Sequence, residues 1–246
     1  MKFLGIDLGW TSGASGLCCL NWLDGTLHLL ELDRKQPTAD ILNWVDYWAS
    51  PPEPALIAVD APTLIPNATG MRLPDKLTHQ YFHRYHAGCY PANLNRPFAQ
   101  HTIEFGLSLE ARGFIHAPVI TPQTLGRYQI EVFPHPAIVH LFGLNRILKY
   151  KKGRLAERQA ELLKLHHLIL TVLPTLEPKL ECSQTLNPIP SQITGVVLKA
   201  LEDQLDSLIC AYVAAYWWYW GVERNWVLGD ATTGYIIVPA PTRAEL

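Results

Sequence analysis

The chain has 246 residues, of which 48% are hydrophobic and 17% are charged. This composition excludes an intrinsically disordered protein, and the length suits a single large domain. Lys and Arg number 20 against 22 Asp and Glu, which gives a formal charge of −2. A nucleic-acid site would therefore have to be a local patch on a near-neutral protein.

The cysteines and the apolar stretches favour a cytoplasmic protein with no membrane partner. Five cysteines, an odd number with no CxxC pair, argue against a disulfide framework and against a structural zinc site. Asp7 lies where an export signal would need apolar residues. The most apolar stretch, 207–220, is shorter than the roughly 18–20 residues that cross a bilayer.

Antiparallel strands come first in the chain, and alternating helices and strands follow. The predicted strands are 2–8, 16–23, 26–33, 55–59, 127–133 and 234–238, and Asp24-Gly25 predicts a hairpin turn. The predicted helices are 38–49, 75–86, 102–112, 136–143, 153–173 and about 194–220, with loops at 87–98 and 174–190. This order predicts an α/β fold with a mixed sheet and helices on both faces. We expect one domain over 1–246, with a Pro/His/aromatic-rich insertion at about 63–100 that borders a site.

Acidic residues stand at the ends of apolar elements. Asp7 closes the first strand, Asp60 closes the fourth, and Glu131 interrupts the fifth, while Asp203 and Asp206 lie near the start of the last helix. Each acid alone would fit a turn, a cap or an exposed position. A carboxylate among apolar residues is costly to bury unless it is paired or binds a cation, so the joint pattern predicts a cation site. The carboxyl ends of parallel strands are where α/β sheets collect ligands.

Helical spacing sharpens the prediction for the last pair. Asp203 and Asp206 share a helix face, and so do Glu202 and Asp206, which leaves open whether Glu202 replaces Asp203 as a ligand. A divalent cation would relieve the repulsion between such carboxylates. Oxygen ligands without a Cys or His cluster favour Mg²⁺ or Mn²⁺ over zinc.

Six motifs in register carry a family resemblance. They are GIDLGW (5–10), AVDAP (58–62), EVFPHP (131–136), KYK (149–151), DQLDSLICA (203–211) and GYIIVP (234–239). In this order they resemble the domain-of-unknown-function 429 family, predicted RNase H-like nucleases related to Holliday-junction resolvases. The resemblance covers nearly the whole chain.

The resemblance implies a ribonuclease H-like fold with a central mixed five-stranded sheet. It also implies metal-binding catalytic acids on the first strand, on later strand ends and on the final helix, here Asp7, Asp60, Glu131, Asp203 and Asp206. The implied activity is phosphodiester hydrolysis in nucleic acid by a two-metal mechanism. We expect Asp7 to bridge the two metals, the helix pair to hold one, and Asp60 with Glu131 to hold the other or to orient the water.

A nuclease also needs cations for the phosphate backbone. Residues 127–164 contain eight Lys and Arg against three Glu, a net +5 that leaves −7 for the rest of the chain. The predicted phosphate-binding residues are Lys149, Lys151, Lys152 and Arg154, although a solvated helix face would explain the same charges.

Aromatic rings occur beside cations in two further places. The 63–100 stretch holds Tyr81, Phe82, Tyr85 and Tyr90 with Arg72, Lys76, Arg84 and Arg96, which would either stack bases of a single strand or form a small core under the loop. The rings of 216–220 point all round their helix, so some of them would fill a homodimer contact or lie under the loop at Trp226.

Two other function classes stay open. GIDLGWTSG (5–13) resembles the first phosphate loop of actin-like ATPases and sugar kinases, but the chain lacks a second such loop and a Gly-Gly adenosine motif. A non-catalytic binding module on the same fold would have no reason to keep five acids near one site.

Overall fold

The computed structural model describes residues 1–11 and 13–241. The strands are β1 (Lys2–Asp7), β2 (Ser15–Leu23), β3 (Thr26–Lys35), β4 (Ala55–Val59), β5 (Ile115–His116), β6 (Arg127–Glu131), β7 (Lys179–Glu181), β8 (Asn225–Asp230) and β9 (Gly234–Pro239). The helices are α1 (Thr38–Trp48), α2 (Leu73–Phe82), α3 (Ala99–Glu110), α4 (Pro134–Leu141), α5 (Leu155–Val172) and α6 (Gly195–Trp220). None of the helices in these ranges combines the length and apolar character that crossing a membrane requires.

Seven strands form one mixed sheet in the order β5-β6-β4-β1-β2-β3-β7. β1 pairs antiparallel with β2 and parallel with β4, and β4 pairs parallel with β6. This confirms the mixed α/β sheet with a central first strand. The predicted count of five is wrong, because the short strands β5 and β7 extend the two edges. Two and three residues are too few for a visible period-2 pattern, which is why the sequence does not reveal them.

The turn between β2 and β3 follows its sequence signal. Asp24 and Gly25 both have positive φ, 49° and 81°, as the type of two-residue hairpin turn that suits twisted strands requires. β8, which the sequence analysis did not identify, pairs antiparallel with β9 in a separate hairpin. A bridge between Val132 and Ile237 ties this hairpin to the end of β6.

Both faces of the sheet are covered by helices. Side chains of α5 and α6 share one core cluster with Phe3 of β1, whereas side chains of α1 and α3 share another with Leu4 and Ile6. The alternation follows from the period of two in a strand. α6 is buried along most of its 26 residues, in keeping with a helix that is apolar all round.

The aromatic end of α6 is held within the chain. The indole nitrogens of Trp217 and Trp218 donate hydrogen bonds to the carbonyl oxygens of Ala117 and Thr124, at 3.0 and 3.1 Å. These bonds fix the helix end beneath the 117–124 loop. The homodimer contact through this helix stays a prediction.

Candidate active site

Two carboxyl groups meet where neighbouring parallel strands end. Asp7 is the last residue of β1, and Asp60 directly follows β4. The strands are in register, with Ile6 opposite Val59, and the amide of Asp60 donates to the carbonyl oxygen of Ile6 at 2.9 Å. The carboxyl groups of Asp7 and Asp60 lie close enough to shift each other's pKa, so the two acids predicted at strand ends come together.

A third carboxylate reaches the pair from α6, because two glycines let the helix lie directly on the sheet. An ideal Cβ at Gly5 would lie 1.9 Å from the carbonyl oxygen of Ser207, and one at Gly16 would lie 1.9 Å from that of Asp203. No side chain fits such gaps. The close approach brings Asp206, which is fully buried, within electrostatic range of Asp7 and Asp60.

Lys151 and Tyr150 complete the cluster from the loop before α5. The Lys151 Nζ lies 2.6 Å from Asp206 Oδ2, and the Tyr150 hydroxyl donates to Asp206 Oδ1 at 2.6 Å. Asp206 Oδ2 accepts no hydrogen bond from the described residues, so its contact with the ammonium is an ion pair without hydrogen-bond geometry. The Lys151 ammonium is therefore the group that compensates the charge on this oxygen.

The pKa values of Asp7, Asp60 and Lys151 are shifted because these groups are buried close together. Burial raises the pKa of Asp7 well above its usual range, and the negative charges of Asp206 and Asp60 raise it further, against the opposing effect of Lys151. Burial also raises the pKa of Asp60 to about 7. Although burial opposes the charge of Lys151, the carboxylates around it raise its pKa well above the ordinary value. One ammonium therefore offsets only part of the acidic charge at this point.

Glu131 is held in a buried ion-pair network of its own, although its negative charge also raises the pKa of Asp60. Arg72 donates to both of its oxygens, Nη1 to Oε2 at 2.8 Å and Nη2 to Oε1 at 2.7 Å, and also to Asp75 Oδ1 at 2.8 Å. All three side chains are at most 5% exposed. Burial raises the pKa of Glu131 to about 7 even though Arg72 lowers it. The predicted ligand Glu131 thus has both oxygens occupied, but it shares a small cleft with Asp60.

The remaining acids of α6 are also paired. Asp203 accepts from Arg34 Nε at 2.9 Å and contacts the ammonium of Lys199, and its charge acts on Asp7 only as the weakest of the contributing carboxylates. Glu202 pairs with Arg158 at 2.8 Å. Of the helix acids, Asp206 is therefore the one that faces the strand-end pair.

The four residues predicted to bind phosphate lie in two different environments. Lys151 belongs to the carboxylate cluster, whereas Lys149, Lys152 and Arg154 are exposed. Lys149 and Lys152 line a groove of about 360 Å³ together with Arg146. Two glutamates line the same groove, so its charge is mixed, and the phosphate contacts stay a prediction.

Three further side chains belong to this region: His135 and Tyr150, for which the sequence predicts no role, and Arg72, which the sequence groups only with the cations of the 63–100 stretch. Burial and the Lys151 charge lower the pKa of His135 to about 4, so the imidazole is neutral at pH 7, and its Nδ1 has no hydrogen-bond partner among the described residues. The motifs EVFPHP and KYK contain His135 and Tyr150. Arg72 had no such signal, because it lies 59 residues from Glu131 in the chain.

The model of the family described as "Protein of unknown function (DUF429)" matches residues 5–233. The chain belongs to this family. No curated protein matches it. Among solved structures, T. thermophilus RuvC in complex with Holliday junction substrate is 12% identical, with a TM-score of 0.33, over 87% of this chain and 97% of that chain. A likeness this low carries no argument about activity.

The donor chemistry of this DUF429 site fits a hard divalent cation. Asp7, Asp60 and Asp206 offer carboxylate oxygens, one of them without a hydrogen bond, and such oxygens are the ligands that Mg²⁺ and Mn²⁺ prefer. As the side chains lie, no three His, Cys, Asp or Glu among residues 1–11 and 13–241 enclose a metal position. The Lys151 ammonium stands among the acids, so a metal would bind together with a displacement of this side chain.

Proposed function

We propose that this DUF429 protein is a divalent-metal-dependent nuclease that hydrolyses phosphodiester bonds in nucleic acid. The observation that carries the proposal is the convergence of Asp7, Asp60 and Asp206 at the end of the central strand. Burial and neighbouring negative charges raise the pKa values of Asp7 and Asp60, and carboxylates crowded in this way are typical of a site that binds a cation. The exposed cations of the 146–154 loop supply the complementary surface for phosphates.

In this proposal Asp7 and Asp60 would hold the divalent metal from the strand ends, and Asp206 would hold it from the helix. When bound, a pair of Mg²⁺ or Mn²⁺ ions supplies Lewis acidity toward the phosphate and lowers the pKa of a water. Tyr150 orients Asp206 through its hydrogen bond, and Lys151, once displaced, carries its charge toward the phosphate. Asp203 and Glu131 would stay in their ion pairs with Arg34 and Arg72, and they would bind metal only after these pairs had opened.

The test is cleavage of a panel of labelled substrates, with and without Mg²⁺ or Mn²⁺. The panel contains single-stranded DNA, duplex DNA, RNA, an RNA–DNA hybrid and a four-way junction. We expect metal-dependent cleavage of at least one member, its loss in Asp7→Asn, and its retention in Asp40→Asn, which changes an exposed acid of α1. Cleavage of none by a folded protein that binds metal would refute the nuclease proposal, and ATP hydrolysis in its place would favour the ATPase alternative.

A further inference from the structure

The aromatic and basic side chains of the 63–100 segment separate into two groups in the fold. Phe82 and Tyr85 lie in a core cluster, 0% and 5% exposed, and Arg72 is buried against Glu131. Tyr90 instead stays 59% exposed. Packing under the loop therefore accounts for Phe82 and Tyr85, whereas the Tyr90 side chain remains mostly open to solvent.

Tyr90 lies beside the carboxylates. It lines the same cleft as Asp60 and Trp10, and the Trp10 indole nitrogen donates to the carbonyl oxygen of Asp60 at 3.0 Å. The ring of Trp10 lies 4.5 Å from that of Phe98, which in turn lies 6.2 Å from that of Tyr90. Three aromatic rings thus run from the backbone of Asp60 to the surface.

A cation accompanies the exposed ring. The guanidinium of Arg96 lies 4.9 Å from the centre of the Tyr90 ring, and its Nε donates to the carbonyl oxygen of Pro91 at 3.2 Å. This bond fixes the guanidinium over the tyrosine. A flat aromatic ring held next to a planar cation is the arrangement on which proteins stack single-stranded bases, because each base offers a π face and each linkage a negative charge.

We propose that Tyr90 and Arg96 form a stacking subsite for an unpaired nucleobase, so that the substrate of the proposed nuclease has a single-stranded nucleotide next to the bond that is cut. The inference rests on the proposed function. The cleft behind Tyr90 measures about 40 Å³, close to the volume of one water, so the base lies over the mouth of the cleft on the exposed ring. In a duplex both faces of a base are already covered by its neighbours, and only an unpaired base can use this surface.

The test compares a fluorescein-labelled single strand with the same strand in a duplex, by anisotropy in Ca²⁺ without Mg²⁺ or Mn²⁺. Tyr90→Ala should lower the affinity for the single strand about 10-fold and leave the duplex unchanged, while Tyr90→Phe, which keeps the ring, should stay within about twofold of wild type. Tyr81→Ala is the matched control, because Tyr81 is a 44% exposed tyrosine of the same segment whose ring packs 5.5 Å from Trp226. It should leave both affinities unchanged.

Four results would overturn the subsite: no effect of Tyr90→Ala, an equal loss for single strand and duplex, an equal loss in Tyr81→Ala, or wild-type preference for the duplex. The proposed function fails separately. Tyr90-dependent binding of single strands without cleavage of any substrate would keep the subsite and refute the nuclease. Metal-dependent cleavage that Tyr90→Ala does not alter would support the nuclease and refute the subsite. A wild-type protein that binds no oligonucleotide would refute both the subsite and the nuclease.

Discussion

Replacing Arg72 by methionine removes the shared partner of two buried carboxylates. Arg72 holds Glu131 through two hydrogen bonds of 2.7 and 2.8 Å and holds Asp75 through a third of 2.8 Å, and all three side chains are nearly inaccessible to solvent. Breaking a buried ion pair from one side costs about 3–5 kcal/mol, because the remaining charge is left in a medium of low polarity. We expect Arg72→Met to lower the free energy of unfolding by about that amount at pH 8.

The loss should depend on pH in a defined direction. The pKa of Glu131 is raised to about 7 with Arg72 in place, and losing that cation raises it further. The folded variant then binds a proton that the unfolded chain has released, so its stability falls as the pH rises above the ordinary glutamate value. At pH 5 the Glu131 side chain is neutral, so its share of the loss should shrink to about 1–2 kcal/mol, while Asp75 still lacks its partner.

Urea unfolding at pH 5 and pH 8 measures both numbers. The double variant with Arg72→Met and Glu131→Gln is the control, since it removes the orphaned charge and should recover part of the loss at pH 8. A loss below about 1 kcal/mol at pH 8, or an equal loss at the two pH values, would show that the network does not carry the energy assigned to it.

Three further outcomes follow from the carboxylate cluster and its support. Gly5→Ala should lower the free energy of unfolding, measured by urea titration, by about 1–3 kcal/mol, because a Cβ would lie 1.9 Å from a backbone oxygen of α6. A variant as stable as the wild type would contradict the close packing of α6 on the sheet. Lys151→Met should lower the melting temperature in the absence of metal, and saturating Mn²⁺ should restore part of the loss. Lys152→Met, at the exposed neighbouring residue, should leave the melting temperature unchanged with and without Mn²⁺. Equal effects of the two substitutions would argue against a role for Lys151 in the cluster. Without divalent cations, stability should decline as the pH rises from about 4 to about 7, since folded Asp60 and Glu131 keep their protons up to a pKa of about 7 and the unfolded chain does not. Asp60→Asn should reduce that slope by removing one of the two contributions.

The order of the fold could be predicted from local patterns in the sequence. β4 begins and ends where its apolar run does. The turn at Asp24-Gly25 could be predicted because it requires positive φ at both positions, and Asp and Gly adopt positive φ more readily than most residues. The edge strands β5 and β7 could not be predicted, because their two and three residues gain strand geometry from pairing with neighbours rather than from their own pattern. The predicted single domain and its insertion stay predictions.

The sequence predicts which acids lie at the ends of strands or on the last helix, and therefore which of them can come close together. It predicts the candidate site no further than that. Asp7 and Asp60 come together because parallel strands in register end at the same edge. What sequence could not supply is the choice of ion pair for each acid: Arg34 for Asp203, Arg72 for Glu131 and Lys151 for Asp206. Those choices depend on side chains from distant parts of the chain, and they separate acids that look equivalent in the sequence.

The most direct measurement is the Mn²⁺ affinity of the wild type, Asp7→Asn and Asp40→Asn by titration calorimetry. Loss of a residue that only hydrogen-bonds to a metal ligand costs about 10–100-fold in metal affinity. Loss of the ligand Asp7 itself should therefore weaken Mn²⁺ binding by about 10-fold or more. We expect this loss for Asp7→Asn and wild-type affinity for Asp40→Asn, whose acid is exposed on α1. Equal affinity in all three proteins, or no Mn²⁺ binding by the wild type, would contradict this expectation.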